Sequence, residues 1–329
     1  MQPEPSVPAN GIILPRLAPP TPDTTPCMPT ATPRSSTYVG RFAPSPTGPL
    51  HFGSLVTAVG SYLDARRAGG RWLLRIDDLD RARNVARATE GILEILEKFG
   101  FEWDGVVTRQ SDSLPRYAES LERLRAMRHV FPCSCSRREM ADSALARDGA
   151  RLYPGSCRDR PGRIQPAYAW RARVAGTIEF TDLIQGRQHE DLESEVGDFV
   201  VQRADGQFAY QLAVVVDDHD AGVTHVIRGA DLLCSTGRQI YLQGLLGFET
   251  PAYAHLPVVV NEAGEKLSKQ THAAAIDLAN PARTLGNALR FLGHPSPAEL
   301  TGAPVAHAWQ WAIANWNLAR VPRALQAAG

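Results

Sequence analysis

The chain has 329 residues, room for one large domain or two small ones at about 150 residues per domain. With 43% hydrophobic and 21% charged residues it reads as an ordinary globular protein, neither collagenous nor wholly disordered. Its 35 basic and 35 acidic residues cancel, which excludes a protein drawn to nucleic acid by its overall field and leaves any RNA or phosphate contact to local patches.

Residues 1–37 hold ten of the 25 prolines. So little apolar surface predicts a disordered, partly polyproline II tail, and the prolines oppose the amphipathic helix of a transit peptide. From Tyr38 the pattern alternates. Tyr38–Ala43 reads as a strand, Ser54–Ala68 as a helix with Leu55, Ala58, Val59, Tyr62 and Leu63 on one face, Arg71–Ile76 as a strand, and Ala88–Phe99 as a helix ended by Gly100. A third helix runs from Leu114 to about Met127, and Val130–Cys133 is extended. Such alternation predicts a parallel sheet with helices on both faces. It lapses over a loop-rich stretch from about Cys133 to Pro166. Strands are then expected at 168–174, 177–181, 199–203, 208–216, 224–228 and 256–260, with a helix at 235–246. Asn280 and Pro281 make an N-cap and N1 pair for a helix carrying Leu285, Leu289 and Leu292. Trp309, Ile313 and Trp316 read as core contacts of a last helix pair. No apolar run approaches the roughly 20 residues that span a bilayer, so no membrane partner is expected.

Two segments stand out chemically. Arg41-Phe-Ala-Pro-Ser-Pro-Thr-Gly-Pro-Leu-His51-Phe-Gly-Ser54 runs from a strand through a tight turn into a helix. There, backbone N–H groups and the helix dipole suit a phosphate. His51 can donate to it, and Gly53 keeps a Cβ away from a closely approaching nucleotide. The second is Glu265-Lys266-Leu267-Ser268-Lys269-Gln270. Lys98, Lys266 and Lys269 are the only lysines beside 32 arginines, and two compact ammonium groups three apart suit a triphosphate whose charge moves onto pyrophosphate. Five cysteines without a secretory segment point to a reducing, cytoplasmic setting in which clustered thiols more often hold metal than form bridges. Cys133, Cys135 and Cys157 offer three thiolates toward a four-ligand structural zinc, with Tyr153, His129 or a water as the fourth ligand.

Phe42-Ala-Pro-Ser-Pro-Thr-Gly48, His51-Phe-Gly-Ser54, Arg75-Ile-Asp-Asp-Leu-Asp80, Val216-Asp-Asp-His219 with Val226-Ile-Arg-Gly-Ala-Asp231, and Lys266-Leu-Ser-Lys-Gln270 together resemble the catalytic domain of glutamyl-tRNA synthetases, a class I aminoacyl-tRNA synthetase family. The resemblance covers about 38–276. It implies a Rossmann-type nucleotide-binding α/β domain with a zinc-bearing insertion at about 131–166, followed by a short helical region over 277–329. Ser54 stands where the family signature has His, and Gln270 where it has Ser. The short chain, these variants and the cysteine cluster resemble the truncated branch of the family that lacks an anticodon-binding domain; the 59 residues after Gln270 are too few for one. That branch implies activation of L-glutamate with ATP and Mg²⁺, then transfer onto queuosine at the wobble position of tRNA(Asp), by a monomer. Two rival readings remain: a shortened enzyme that charges tRNA(Glu), and a tRNA-binding paralogue without catalysis.

The resemblance implies His51, Lys266 and Lys269 as catalytic groups, and His51, Gly53, Ser54 and Lys269 as the ATP site. It implies Tyr153 as the fourth zinc ligand beside Cys133, Cys135 and Cys157. Arg41 and Arg228 are candidates to grip the glutamate side chain through paired hydrogen bonds. The implied amino-acid pocket adds Phe42, Ala43, Pro44 and Ser45, with Asp77 and Tyr210. The family usually has Glu at 77; losing a methylene draws the carboxylate back by roughly 1.5 Å, enough to convert a direct ammonium contact into a water-mediated one. Asp217, Asp218, His219 and Asp220, placed on an extended strand, would alternate in direction and could not converge on a second metal.

Overall fold

The computed structural model describes residues 37–260 and 276–328, except 137, 141–142, 144, 147–148, 150 and 161–166. The proline-rich tail and the loop with Lys266, Lys269 and Gln270 therefore lie outside the described residues.

The first half follows the alternation closely. It comprises β1 (Val39–Phe42), α1 (Phe52–Arg67), β2 (Arg71–Ile76), α2 (Ala88–Lys98) and the short β3 (Thr108–Arg109). β1 and β3 flank β2, both parallel to it, with Val39 opposite Arg71 and Arg75 opposite Thr108. Local signals explain the boundaries. His51 caps α1 by accepting the Ser54 N–H, and Gly100, at φ 74°, takes the left-handed turn just past α2. The predicted face of α1 is buried, and each large aliphatic chain it removes from water contributes about 1.5–3 kcal/mol. Two non-glycine residues among those described are left-handed, Arg87 (φ 60°) and Arg128 (φ 59°), a backbone state that costs a residue with a Cβ roughly 1–2 kcal/mol.

Next come α3 (Leu114–Ala126), β4 (Val130–Cys133), β5 (Ala169–Ala172), the hairpin β6 (Thr177–Asp182) and β7 (Gly186–Asp191), then β8 (Val200–Gln202) and α4 (Tyr210–Asp220). β5 lies antiparallel between β4 and β8. The run Phe208–Val216, expected as a strand, is instead largely helical. A continuous apolar run carries no periodicity that separates a buried strand from a buried helix, and here Leu212 through Val216 are buried in a cluster with α3, β8 and α5. The correction changes the acidic cluster, which occupies the last turn of α4. Asp217, Asp218 and Asp220 point to different partners because successive helical residues are about 100° apart. Asp217 meets Tyr117 and Gln110, Asp218 meets Arg41 and Arg75, and Asp220 pairs with Arg116. They do not converge on a metal, the expected outcome, but through helical rotation and not strand alternation.

The chain then returns to the parallel layer with β9 (His225–Gly229), α5 (Leu233–Leu246) and β10 (Ala252–Leu256). The Thr224 N–H donates to the Val39 carbonyl (2.9 Å), which sets β9 beside β1. The single expected strand at 256–260 is divided: Pro257, which has no N–H to continue a ladder, separates β10 from β11 (Val258–Val260). Gly60 lets α1 close on this layer, since a Cβ there would lie 2.7 Å from Leu256 Cδ1. Asn280 caps α6 (Pro281–Phe291) through the Arg283 N–H, as its sequence predicts, and α7 (Val305–Asn315) packs beside it. Trp309 and Trp316 are buried, their indole N–H groups donating to Phe99 O (2.7 Å) and Asp64 Oδ1 (2.9 Å). A final strand, β12 (Gln326–Ala328), runs parallel to β11. Among the described residues no helix is long and apolar enough to cross a membrane.

Candidate active site and metal centre

The C-terminal ends of β1, β2 and β9 open on a cleft of about 580 Å³, the position at which open α/β sheets place their ligands. Arg41 to Ser45, Asp77, Tyr210 and Arg228 all line it, and so do His51, Gly53 and Ser54 at the start of α1. The residues expected around an amino acid and those expected around a nucleotide thus share one space. His51 Nδ1 accepts from the Ser54 N–H (3.3 Å), and its Nε2 lies 3.1 Å from Ser54 Oγ. The hydroxyl that replaces the family histidine is held against the remaining one.

Arg228 is 3% exposed, and its partners among the described residues are all neutral. It donates to Gln239 Oε1 (2.8 Å), Thr236 Oγ1 (2.8 Å), His255 Nε2 (3.0 Å) and, more weakly, Tyr210 Oη and the Leu232 carbonyl (3.4 Å each). A buried cation without a carboxylate partner is costly unless a ligand supplies the charge. Because Arg228 donates to Nε2, His255 must carry its proton on Nδ1, which points at Asp182 Oδ2 (2.6 Å). Burial, with Arg228 beside it, pushes the His255 pKa down to about 4 against the opposing pull of Asp182. Burial also opposes the Asp182 carboxylate, but His255 and the N–H groups of Ile184 and Gln185 outweigh it and hold its pKa below the ordinary value.

The sign of the pH effect follows. Between the unfolded histidine pKa near 6.5 and the folded value of about 4, the unfolded chain binds a proton that the folded chain excludes. Stability therefore falls as pH falls through that window, by up to about 1.4 kcal/mol per unit. Urea unfolding from pH 7 to 4.5 should show the wild type losing about 2 kcal/mol more than His255→Gln; parallel pH profiles for the two would contradict the assignment.

On the opposite side Arg41 is not free to reach a ligand with its whole guanidinium. Its Nε and one terminal nitrogen bond Asp218 (3.2–3.3 Å), which also accepts from Arg75 (2.7 Å). Arg75 further holds Asp77 (2.7 Å) and lies 3.6 Å from Asp217. Burial raises the Asp77 pKa against the pull of Arg75 and pushes Asp217 up to about 6, while for Asp218 the two arginines outweigh burial and hold it low. Three carboxyl groups gather around two guanidiniums on this side of the cleft. An amino acid carrying an ammonium at the Asp77 end and a carboxylate at the Arg228 end would match a carboxyl-rich side and an arginine with neutral partners. Arg75 and Asp218 lie in segments the sequence singles out, yet neither is legible as a pocket support because their pairing joins β2 to α4. His255 and Asp182 carry no local signal at all.

Sγ atoms of Cys133, Cys135 and Cys157 lie within 4.8 Å of one another. Tyr153 completes the group, its Oη 3.9 Å from Cys135 Sγ and accepting the Cys157 N–H at 2.6 Å. His129 lies before β4, four residues from Cys133 along an extended chain, roughly 13 Å at strand rise, and is outside the cluster. Burial pushes the Cys135 thiol up to about 11; at Cys157 burial is outweighed by the Ser134 N–H and by Tyr153, which hold its pKa down. Three soft donors and a phenol in one small volume fit zinc.

The family described as "tRNA synthetases class I (E and Q), catalytic domain" matches residues 38–287. A relative from Aromatoleum aromaticum named glutamyl-Q tRNA(Asp) synthetase is 64% identical over 292 residues, covering 88% of this chain and 92% of its own. Relatives of the same name from Dechloromonas aromatica and Pseudomonas aeruginosa are 56% and 49% identical, each aligned over 88% of this chain and 97% of theirs. Among solved structures, the glutamate-tRNA synthetase from Elizabethkingia anophelis superposes with a TM-score of 0.73 at 25% identity, over 89% of this chain and 68% of that one. The order of motifs, the cleft they build and these matches agree, and the chain belongs to the class I tRNA synthetases of the Glu and Gln family.

Proposed function

We propose that the protein activates L-glutamate with ATP and transfers it to queuosine of tRNA(Asp), modifying the base instead of charging a tRNA 3′ end. The observation that carries the glutamate half is Arg228, a buried cation whose partners among the described residues are neutral, in the same cleft as the N-terminus of α1. The tRNA half draws on the one name shared by relatives that match this chain over nearly their whole lengths. In the first step the glutamate α-carboxylate attacks the ATP α-phosphate in line, forming glutamyl-adenylate and releasing pyrophosphate. The α1 N-terminus and His51 hold phosphate oxygens; Lys266 and Lys269, with the Mg²⁺ that ATP carries, follow the charge onto pyrophosphate. Arg228, supported by Tyr210, takes the side-chain carboxylate, while Asp77 faces the ammonium and residues 41–45 wall the pocket. A queuosine hydroxyl then attacks the activated carbonyl, AMP leaves, and the adenylate phosphate accepts the proton.

Cys133, Cys135, Cys157 and Tyr153 would hold a zinc ion, which when bound cross-links the loop-rich insertion and does no chemistry on the substrate. The protein works in the cytoplasm as a monomer. The deciding measurement offers labelled glutamate and ATP with queuosine-containing tRNA(Asp), queuosine-lacking tRNA(Asp) and tRNA(Glu). Label is expected on the first alone. Glutamate on tRNA(Glu) alone would establish the shortened charging enzyme, and no ATP–pyrophosphate exchange would establish a non-catalytic paralogue.

A further inference from the structure

A cleft of about 580 Å³ has room for small molecules and not for a polynucleotide, so an RNA strand must cross its mouth. Part of that mouth is the loop between β2 and α2, where Asp80, Arg83 and Asn84 line the cleft. The loop is fixed from within. Val85 N–H donates to the Pro46 carbonyl (2.9 Å), Asn84 Nδ2 to the Asp78 carbonyl (2.8 Å), and Asp78 in turn accepts from the Ser111 N–H and hydroxyl. From this support Arg81, Arg83 and Arg87 extend into solvent, and Val85 is 52% exposed between them. Arg83 pairs with Asp80 (2.6 Å). Among the described residues neither Arg81 nor Arg87 has an ion-pair or side-chain hydrogen-bond partner.

Arg87 is unusual on a second count. It occupies the N-cap of α2 in a left-handed conformation, with no side-chain cap bond. Asn would suit both the backbone and the cap better. The sequence keeps a cation where local structure favours another residue.

A competing basic surface exists on the β4–β5 sheet, a groove lined by Arg125, Arg128 and Arg173 with Trp170 and Phe131. Arg128 is left-handed there too. Its neighbours, however, are committed: Arg125 pairs with Glu122 and lies on the Trp170 ring, and Arg173 pairs with Asp159 and lies on Phe131. A phosphate arriving there would have to displace carboxylates, whereas at the cleft mouth it would meet two unpaired guanidiniums.

We propose that Arg81 and Arg87 clamp backbone phosphates of the RNA strand that presents its base to the cleft, so that the tRNA docks across the β2–α2 loop. The inference rests on the reading above that the substrate is a tRNA. Neither arginine lines the cleft, so glutamate activation should not depend on them.

The test measures tRNA(Asp) binding across salt concentrations for the full-length wild type, Arg81→Ala/Arg87→Asn, and Arg125→Ala/Arg173→Ala. Each lost phosphate contact lowers the slope of log K against log salt by about 0.7 for a single strand. The loop variant should therefore lose about 1.4 of slope and bind at least about tenfold more weakly at 0.1 M salt, with ATP–pyrophosphate exchange unchanged. Arg87→Asn alone should melt no lower than the wild type while still weakening RNA binding, a combination that a purely structural role for Arg87 would not produce. Wild-type affinity and slope in the loop variant, or a loss confined to the groove variant, would overturn the proposal. If the loop variant binds tRNA(Asp) normally while the wild type still glutamylates it, this inference falls and the function stands. If no tRNA is glutamylated but the loop variant loses affinity, the reverse holds.

Discussion

Arg228→Gln is expected to raise the KM for glutamate by about a hundredfold or more in ATP–pyrophosphate exchange, with the KM for ATP nearly unchanged. Truncating one partner of a buried, hydrogen-bonded charge pair typically costs about 2–5 kcal/mol, and each 1.4 kcal/mol is tenfold. The loss should be large because the partners of Arg228 among the described residues are neutral, while Arg41, the other candidate cation, is held by Asp218. Glutamine can still donate to some of those acceptors, which keeps the fold intact. Arg228→Lys separates charge from shape: it restores the cation but not the planar fork, and an intermediate KM is expected. An unchanged glutamate KM in both variants would remove Arg228 from the pocket.

Asp218→Ala should destabilise the folded chain by about 3–5 kcal/mol, the usual result of leaving buried charges unpaired. Asp218 is the one carboxylate paired with Arg41 among the described residues and also binds Arg75. Arg75 retains Asp77 and Asp217, so Arg41 bears most of the loss. Because Arg41 lines the cleft, the same change should weaken glutamate binding in whatever protein remains folded. Urea midpoints for Asp218→Ala and Asp218→Asn, read beside glutamate KM, test both effects. Asn retains an acceptor for one arginine and should lose less. Stability equal to the wild type in both variants would mean that the network is not integral to the fold.

The elements flanking the cleft were legible because they announce themselves locally. Asn280 with Pro281 starts α6, Gly100 stops α2, and the 3.6-residue spacing of Leu55 through Leu63 marks α1. Arg41 to Ser45, which line the cleft, stand in a motif that ends a strand, and it was the resemblance carried by that motif that implied a pocket there. What escaped was non-local. The Leu212–Val216 run lacks periodicity, so its helical state depends on packing against α3 and α5. Gly186–Asp191 becomes a strand because β6 precedes it as a hairpin partner. The Asp182–His255–Arg228 chain joins three residues from separate strands, and no spacing in the sequence announces it.

The pairing of β11 with β12 has a consequence for synthesis. Val258 and Val259 line the cleft, and their strand partners are Gln326 and Ala327. Gln185, in the turn before β7, donates to both His255 O and Ala324 O, tying the same late segment to the strand behind Arg228. A ribosome will have released α1, the charged network and Arg228 well before it makes the residues that close this wall. Contacts so distant in sequence form late, so this wall of the pocket is the last to gain its strand partner.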